Sequence, residues 1–358
     1  MARIRLEQIS KTFGKHAALE GLDLDIADGE FFVLLGPTGA GKTTTLRLIA
    51  GLEKPTTGHI RIDDNLVDDW SAAERDVALV LQQYSLYPRL TVRENLAFPL
   101  RSKLRATSPD EVEKRIAYAA STLRIGHLLD RKTDRLSGGE MQRVSIGRAI
   151  VREPQVFLMD EPLSNLDAKL RETLRVELKD LQSRLKATFI FVTHDQVEAM
   201  TMGDRIGVLN NGRIIQIGRP NDVYNNPRDT FVASFVGSPA ITLLPGQLRG
   251  DKAVIEAGSF ELPLGGGVKA AEGNYTFGIR SEDVAVQAGA PVEARVHDIE
   301  NHGIEKILTL RAGAHYVRAS VPATVQVAIE EAVHFGWNAS KVKIFDPVSG
   351  LNIEQMTN

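Results

Sequence analysis

The chain has 358 residues, 43% of them hydrophobic and 25% charged, which is long for one compact domain and supplies apolar material for two. A net charge of −3 argues against a nucleic-acid partner, which usually needs a basic face, and the absence of cysteine removes disulfides and thiolate metal or redox sites. No apolar run approaches the roughly 18 residues of a membrane span, and Met1-Ala2-Arg3-Ile4-Arg5 lacks the apolar stretch of a signal peptide, so a cytosolic chain is expected.

Residues 3–9 and 22–26 alternate apolar and polar, a pattern that predicts antiparallel strands. The continuous run Phe31-Phe32-Val33-Leu34-Leu35 predicts a buried strand, and Thr43 to Ala50 a helix ended by Gly51. Short strands are expected near 58–62 and 77–81, and helices over 91–100 and 109–125. Ser137 with Glu140 three residues on has capping-box spacing and opens another helix. Strand 155–159, helix 167–186, strand 188–192, helix 195–202 and strand 205–209 follow, and Asn210-Asn211-Gly212 turns into strand 213–217. The alternation predicts an α/β fold with a largely parallel sheet and helices on both faces. After about Val236 the texture changes. Gly237-Ser238-Pro239 reads as a linker, giving domains 1–235 and 236–358. Beyond it Gly265-Gly266-Gly267 and short alternating runs (275–279, 292–299, 306–310, 342–345) predict a small β-barrel.

Between the buried strand and the helix after it lies Gly36-Pro37-Thr38-Gly39-Ala40-Gly41-Lys42-Thr43, followed by Thr44. This is a phosphate-binding loop in its proper setting, and it names the ligand class as a nucleoside triphosphate with Mg²⁺. The glycines let backbone N–H groups turn inward, and the helix aims its positive dipole end at the same phosphates. Lys42 supplies a point charge for the β- and γ-phosphates, and the Thr43 hydroxyl is placed to ligate Mg²⁺. Further on, Val156-Phe157-Leu158-Met159 closes on Asp160-Glu161. Asp160 at a strand end would hold Mg²⁺, directly or through water, and Glu161 would act as general base on the attacking water.

Leu136-Ser137-Gly138-Gly139-Glu140 resembles the signature Leu-Ser-Gly-Gly-Gln of ATP-binding-cassette ATPases. The remaining motifs fall in that family's order: Gln82 as the Gln-loop glutamine, Asp160-Glu161 as the second Walker motif, Ser164-Asn165-Leu166-Asp167 as the D-loop, and His194 as the switch histidine. The similarity runs the length of the chain toward ATPase subunits of carbohydrate importers built like the maltose system. It is carried by Asp28-Gly29-Glu30-Phe31, Gln82 through Pro88, Leu158 through Lys169, and Gly278-Ile279-Arg280-Ser281-Glu282-Asp283. Ser281 stands where the family more often has proline. Glu140 replaces the signature glutamine: a carboxylate cannot donate a hydrogen bond, and it could equally serve to cap its helix.

The resemblance implies a RecA-like ATPase core with antiparallel β and helical subdomains, followed by a regulatory barrel of oligonucleotide/oligosaccharide-binding type. It implies that Phe13 stacks on adenine, that Ser137, Gly138, Gly139 and Asp167 contact nucleotide, that Gln82 serves Mg²⁺ and catalysis, and that His194 senses the γ-phosphate. It implies a head-to-tail homodimer, with each ATP between the phosphate loop of one subunit and Ser137 of the other. Two membrane permease subunits and, indirectly, a solute-binding protein would complete the importer, with this chain peripheral on the cytoplasmic face of the inner membrane. Gln82 and the segment Tyr84 to Leu100 would transmit motion to the permeases, with Tyr84, Leu86, Tyr87, Leu90, Leu96, Phe98 and Leu100 as an apolar patch. The main rival is a soluble cassette ATPase of translation or DNA repair, but this chain has one cassette and no coiled-coil insertion. A second rival, a module that only binds ATP, is disfavoured by Glu161 and His194 together.

Overall fold

A computed structural model describes residues 2–101, 107–255, 260–265 and 270–356. It divides into two compact units, Met1–Pro220 and Asn221–Asn358.

In the first unit, β1 (Ile4–Phe13) and β2 (His16–Ile26) form a hairpin ahead of β3 (Phe31–Leu35), α1 (Lys42–Ile49), β4 (Thr57–Ile62), β5 (Asn65–Leu66) and β6 (Val77–Val80). Next come α2 (Val92–Ala97), α3 (Pro109–Thr122), α4 (Gly138–Ile150), β7 (Val156–Asp160), α5 (Ala168–Leu185), β8 (Thr188–Thr193), α6 (Gln196–Met202), β9 (Arg205–Asn210) and β10 (Arg213–Gly218). A six-stranded sheet runs β10-β9-β3-β8-β7-β6, and only β10 pairs antiparallel in it. A second, antiparallel sheet runs β2-β1-β4-β5.

Central strands buried on both faces need continuous apolar sequence, and every residue of β3, β7 and β8 is buried. One face of the large sheet (Phe32, Leu34, Leu158, Ile190, Val192) shares a core with α1 and with β1, β2 and β4. The opposite face stacks aromatics: Phe31 on Phe189 at 5.4 Å and Phe157 on Phe189 at 4.6 Å between centroids. Lys179 of α5 stands 5.1 Å over the Phe31 ring, so α5 covers that face.

Among the described residues, the second unit contains α7 (Pro220–Asn225), α8 (Thr230–Phe235), ten strands and α9 (Ile353–Met356). The strands are β11 (Thr242–Arg249), β12 (Lys252–Ile255), β13 (Glu261–Pro263), β14 (Gly273–Ile279), β15 (Val284–Val286), β16 (Val292–Asn301), β17 (Glu305–Ala312), β18 (His315–Pro322), β19 (Ala332–Trp337) and β20 (Lys343–Phe345). They make antiparallel sheets β13-β12-β11-β14-β20 and β15-β19-β16-β17-β18 around one core, a barrel-like arrangement in which β18 returns beside β15. The division of the chain falls earlier than the turn Gly237-Ser238-Pro239, which lies within the second unit. Residues before that turn are tied to the far end of the chain: Thr230 N donates to Gly350 O, and Asn352 N to Arg228 O. Gly266 and Gly267, part of the pattern from which the barrel is expected, lie outside the described residues. The stretch Gly278 to Asp283 ends β14 and forms a tight turn. There the buried Arg280 guanidinium packs 4.0 Å from the Tyr224 ring, whose hydroxyl donates to Glu282 at 2.6 Å.

Candidate active site

Three strands end side by side. In register, Leu35 of β3 faces Thr193 of β8, and Val192 of β8 faces Asp160 of β7. The residues that follow, Gly36, His194 and Glu161, therefore leave the sheet along one carboxyl edge, where open α/β sheets build their ligand crevices. The loop needs glycine at two crowded points. A Cβ on Gly36 would lie 2.4 Å from Leu209 O, and one on Gly41, at φ 108°, would lie 2.7 Å from Ala18 O and from Leu19 Cδ2. Gly41 then serves as the N-cap of α1 without a capping side chain, so the first amides of the helix open toward the loop. Pro37 is half-buried, Thr38 and Gly39 are exposed, Ala40 is buried, and Thr44 is half-buried on α1.

Lys42 is buried, and its Nζ donates to Gly36 O at 2.9 Å and Pro37 O at 3.0 Å, with Glu161 Oε1 at 3.4 Å. Thr43 Oγ1 donates to Asp160 Oδ1 at 2.9 Å. Asp160 is 7% exposed; burial pushes its carboxyl above the usual range, and the neighbouring Glu161 adds to this against the Thr43 hydrogen bond. Glu161 sits at φ 44°, a strained position for a side-chain-bearing residue. Its Oε2 lies 3.0 Å from His194 Nδ1. Gln82 turns its amide to Ser164, Nε2 donating to Oγ at 3.2 Å, and Asn165 Nδ2 donates to Gln82 O at 3.2 Å.

Two predicted groups stand away from these contacts. Phe13 is 44% exposed at the tip of the β1–β2 hairpin, with Lys11 Nζ 4.7 Å from its ring centroid. The signature starts α4: Ser137 and Glu140 form a full capping box, the carboxylate accepting from Ser137 N at 2.8 Å. That amide first, then the Ser137 hydroxyl and Arg131, holds Glu140 below the usual carboxylate range. Glu140 thus caps its helix, the plainer of the two accounts, and leaves Gly138 and Gly139 at the helix start. Asp167 Oδ1 accepts from Leu170 N at 3.0 Å and caps α5. The apolar segment expected to face the permeases divides: Leu96 and Leu100 are buried in the core and are corrected to packing residues, while Tyr87 and Phe98 stay exposed with rings 4.3 Å apart. Sequence reasoning missed Arg171 and Asp195. Asp195 carried one signal, its place as N-cap of α6, and Arg171 carried none.

This arrangement defines a nucleotide-binding P-loop ATPase of the ATP-binding-cassette class. Residues 19–164 match the family described as ABC transporter. The sn-glycerol-3-phosphate import ATP-binding protein UgpC of Ruegeria sp. (strain TM1040) is 45% identical over 99% of this chain and 100% of its own length. The trehalose/maltose import ATP-binding protein MalK of Thermococcus litoralis is 46% identical over 98% and 99%. A dimeric ATP-binding cassette solved in a post-hydrolysis state with ADP and Pi matches with TM-score 0.55 at 34% identity, covering 61% of this chain and 98% of that one. The chain belongs to the ABC transporter family and is an ATP-hydrolysing subunit of the importer type. No support remains for a cassette ATPase unconnected with transport. No helix among the described residues is long and apolar enough to cross a membrane.

Proposed function

We propose that this chain powers uptake of a sugar, a polyol or a related glycerol-containing solute through two membrane permease subunits. It would work as a head-to-tail homodimer, peripheral on the cytoplasmic face of the membrane, supplied by a solute-binding protein. The ATPase part of the reading is carried by the alignment of the β3, β7 and β8 ends, which gathers Lys42, Thr43, Asp160, Glu161 and His194 on one edge, and the uptake part by the full-length similarity to import ATP-binding proteins.

Each residue then has a task that its contacts support. The Lys42 ammonium, held by two loop carbonyls, exchanges them for β- and γ-phosphate oxygens of ATP. Thr43 and Asp160 bring two hard oxygen donors within 2.9 Å, in a buried spot where a lone carboxylate is costly, and this suits Mg²⁺. Magnesium, when bound, neutralises charge on the phosphate oxygens. Gln82, whose amide rests on Ser164 at 3.2 Å, would help hold the same ion. Glu161 takes the proton of the attacking water, and His194, already against Glu161, orients it toward the γ-phosphate. The exposed Phe13 ring offers a platform for adenine. Ser137, Gly138, Gly139 and Asp167 face the nucleotide of the partner subunit. A groove of about 410 Å³ beside the Gln loop, lined by Tyr84, Leu86, Pro88 and Met141 among others, suits a permease helix. Residues 236–358 would regulate the cycle.

Glu161→Gln should keep MgATP binding by calorimetry and lose turnover by on the order of 10²-fold or more. Retained steady-state hydrolysis would move the base elsewhere. The solute follows from reconstituting the chain with its permeases and binding protein and asking which compound stimulates ATPase activity.

A further inference from the structure

Arg171, on the first turn of α5, is tied to both sides of the catalytic pair. Its Nη2 donates to the backbone oxygens of Ser164 at 3.4 Å and Leu166 at 3.3 Å. Its Nη1 donates to Asp195 Oδ2 at 3.2 Å, and its Nε lies 4.0 Å from Glu198 Oε1. Each anchor leads to a residue of the site. The Ser164 hydroxyl donates to Glu161 O at 2.9 Å and so fixes the turn that holds Glu161 at its strained φ of 44°. Asp195 follows His194 directly. Its other oxygen caps α6, accepting from Val197 N at 2.8 Å and Glu198 N at 3.1 Å. The contact between Glu161 and His194 closes the circuit: Glu161, Ser164, Arg171, Asp195, His194 and back to Glu161.

We propose that Arg171 is a positioning residue that fastens the loop after Glu161 to the segment carrying His194, so that base and histidine move as one unit. The proposal rests on the reading of Glu161 and His194 given above. A guanidinium suits the task because its planar fork serves acceptors on several sides at once; an ammonium is a point charge that cannot span them. Arg171 touches no reacting atom. Its loss would leave the P-loop contacts to ATP in place and loosen the geometry of the chemical step.

The test uses the full-length chain with Arg171→Met, Arg171→Lys, Asp195→Asn and the double variant Arg171→Met/Asp195→Asn. Arg171→Met should lower kcat at least about tenfold, as misplacement of catalytic groups does, and leave KM for ATP and MgATP affinity within about twofold. Arg171→Lys should fall between wild type and Arg171→Met. The double variant should be no slower than the worse single one, the mark of residues acting as a unit. A merely structural role would instead lower the unfolding temperature and scale kcat with the folded fraction. Additive losses in the double variant, or full turnover in Arg171→Met while Glu161→Gln is inactive, would overturn the proposal alone. Unimpaired hydrolysis by Glu161→Gln would remove the reading of the site and the clamp with it.

Discussion

Glu198 is 3% exposed in the first turn of α6, where Thr193 Oγ1 donates to it at 2.5 Å. Burial pushes its carboxyl above the usual range; Thr193 and Arg171 pull back only in part, and Asp195 adds to the rise. The sign of the pH effect follows. The folded chain keeps this proton above the pH at which the unfolded chain releases it, so folding loses stability as pH rises through that window. Glu198→Gln keeps an acceptor for Thr193 and removes the buried charge. The unfolding temperature of the variant minus that of wild type should therefore grow as pH rises from the ordinary carboxylate range toward neutrality; a gap that stays flat or shrinks would count against the burial argument. At this scale the sequence is most readable where an apolar run ends on polar residues. Asp160, Glu161 and His194 stand at or just past the end of such a run, Lys42 lies one glycine-rich loop beyond another, and the structure brings them together. Arg171 and Asp195 lie 24 positions apart and meet only through the fold, which neither spacing nor residue type reveals.

The first helix depends on a residue far from the phosphate loop at its start. Arg75 is 2% exposed, and its Nη1 donates to Leu48 O at 2.7 Å and Ile49 O at 3.1 Å, satisfying carbonyls at the C-terminal end of α1. Its Nε donates to Trp70 O at 3.3 Å. Arg75→Met fills similar space and removes this donor from both carbonyls; Leu48 O keeps Gly51 N at 3.2 Å, so the cost falls mainly on Ile49 O, at about 1–3 kcal/mol for a buried group left unpaired. Denaturant unfolding should register that loss, and MgATP affinity should fall because Lys42 and Thr43 begin the same helix. An unchanged midpoint would mean that other donors satisfy the helix end. Elements with a strong period or a cap were legible: β3 as an unbroken apolar run, α4 through its capping box, α5 through its length. In the second unit β11 was not. It contains Pro245 and Gly246, residue types that weaken a strand, yet Pro245 sits just before the stretch Gly246–Arg249 that pairs with β12, where its missing N–H is tolerated. The three-residue strands β13 and β15 are too short to show a period, and long-range pairing alone makes them strands.

The proposed sandwich joins two copies of the chain, the signature at the start of α4 in one meeting the phosphate loop of the other. The chain has no cysteine, so introduced thiols report a single contact without background. Burial decides where to put them. Ala40 and Leu136, next to the two motifs, are 3% and 8% exposed and would hide a thiol, whereas Thr38 in the phosphate loop and Arg135 before the signature are exposed. We expect Thr38→Cys with Arg135→Cys, on a Glu161→Gln background, to be joined by a short bis-maleimide reagent when MgATP is present, giving a band of doubled mass on denaturing gels. Mixing the two single-cysteine chains should give the same band, which only a link between subunits can produce, and neither single variant alone should give it. The nucleotide dependence separates a closed sandwich from chance collision, since a ligand favours the state to which it binds better. If MgATP leaves cross-linking at its nucleotide-free level in both the double variant and the mixture, the signature of one subunit does not meet the phosphate loop of the other.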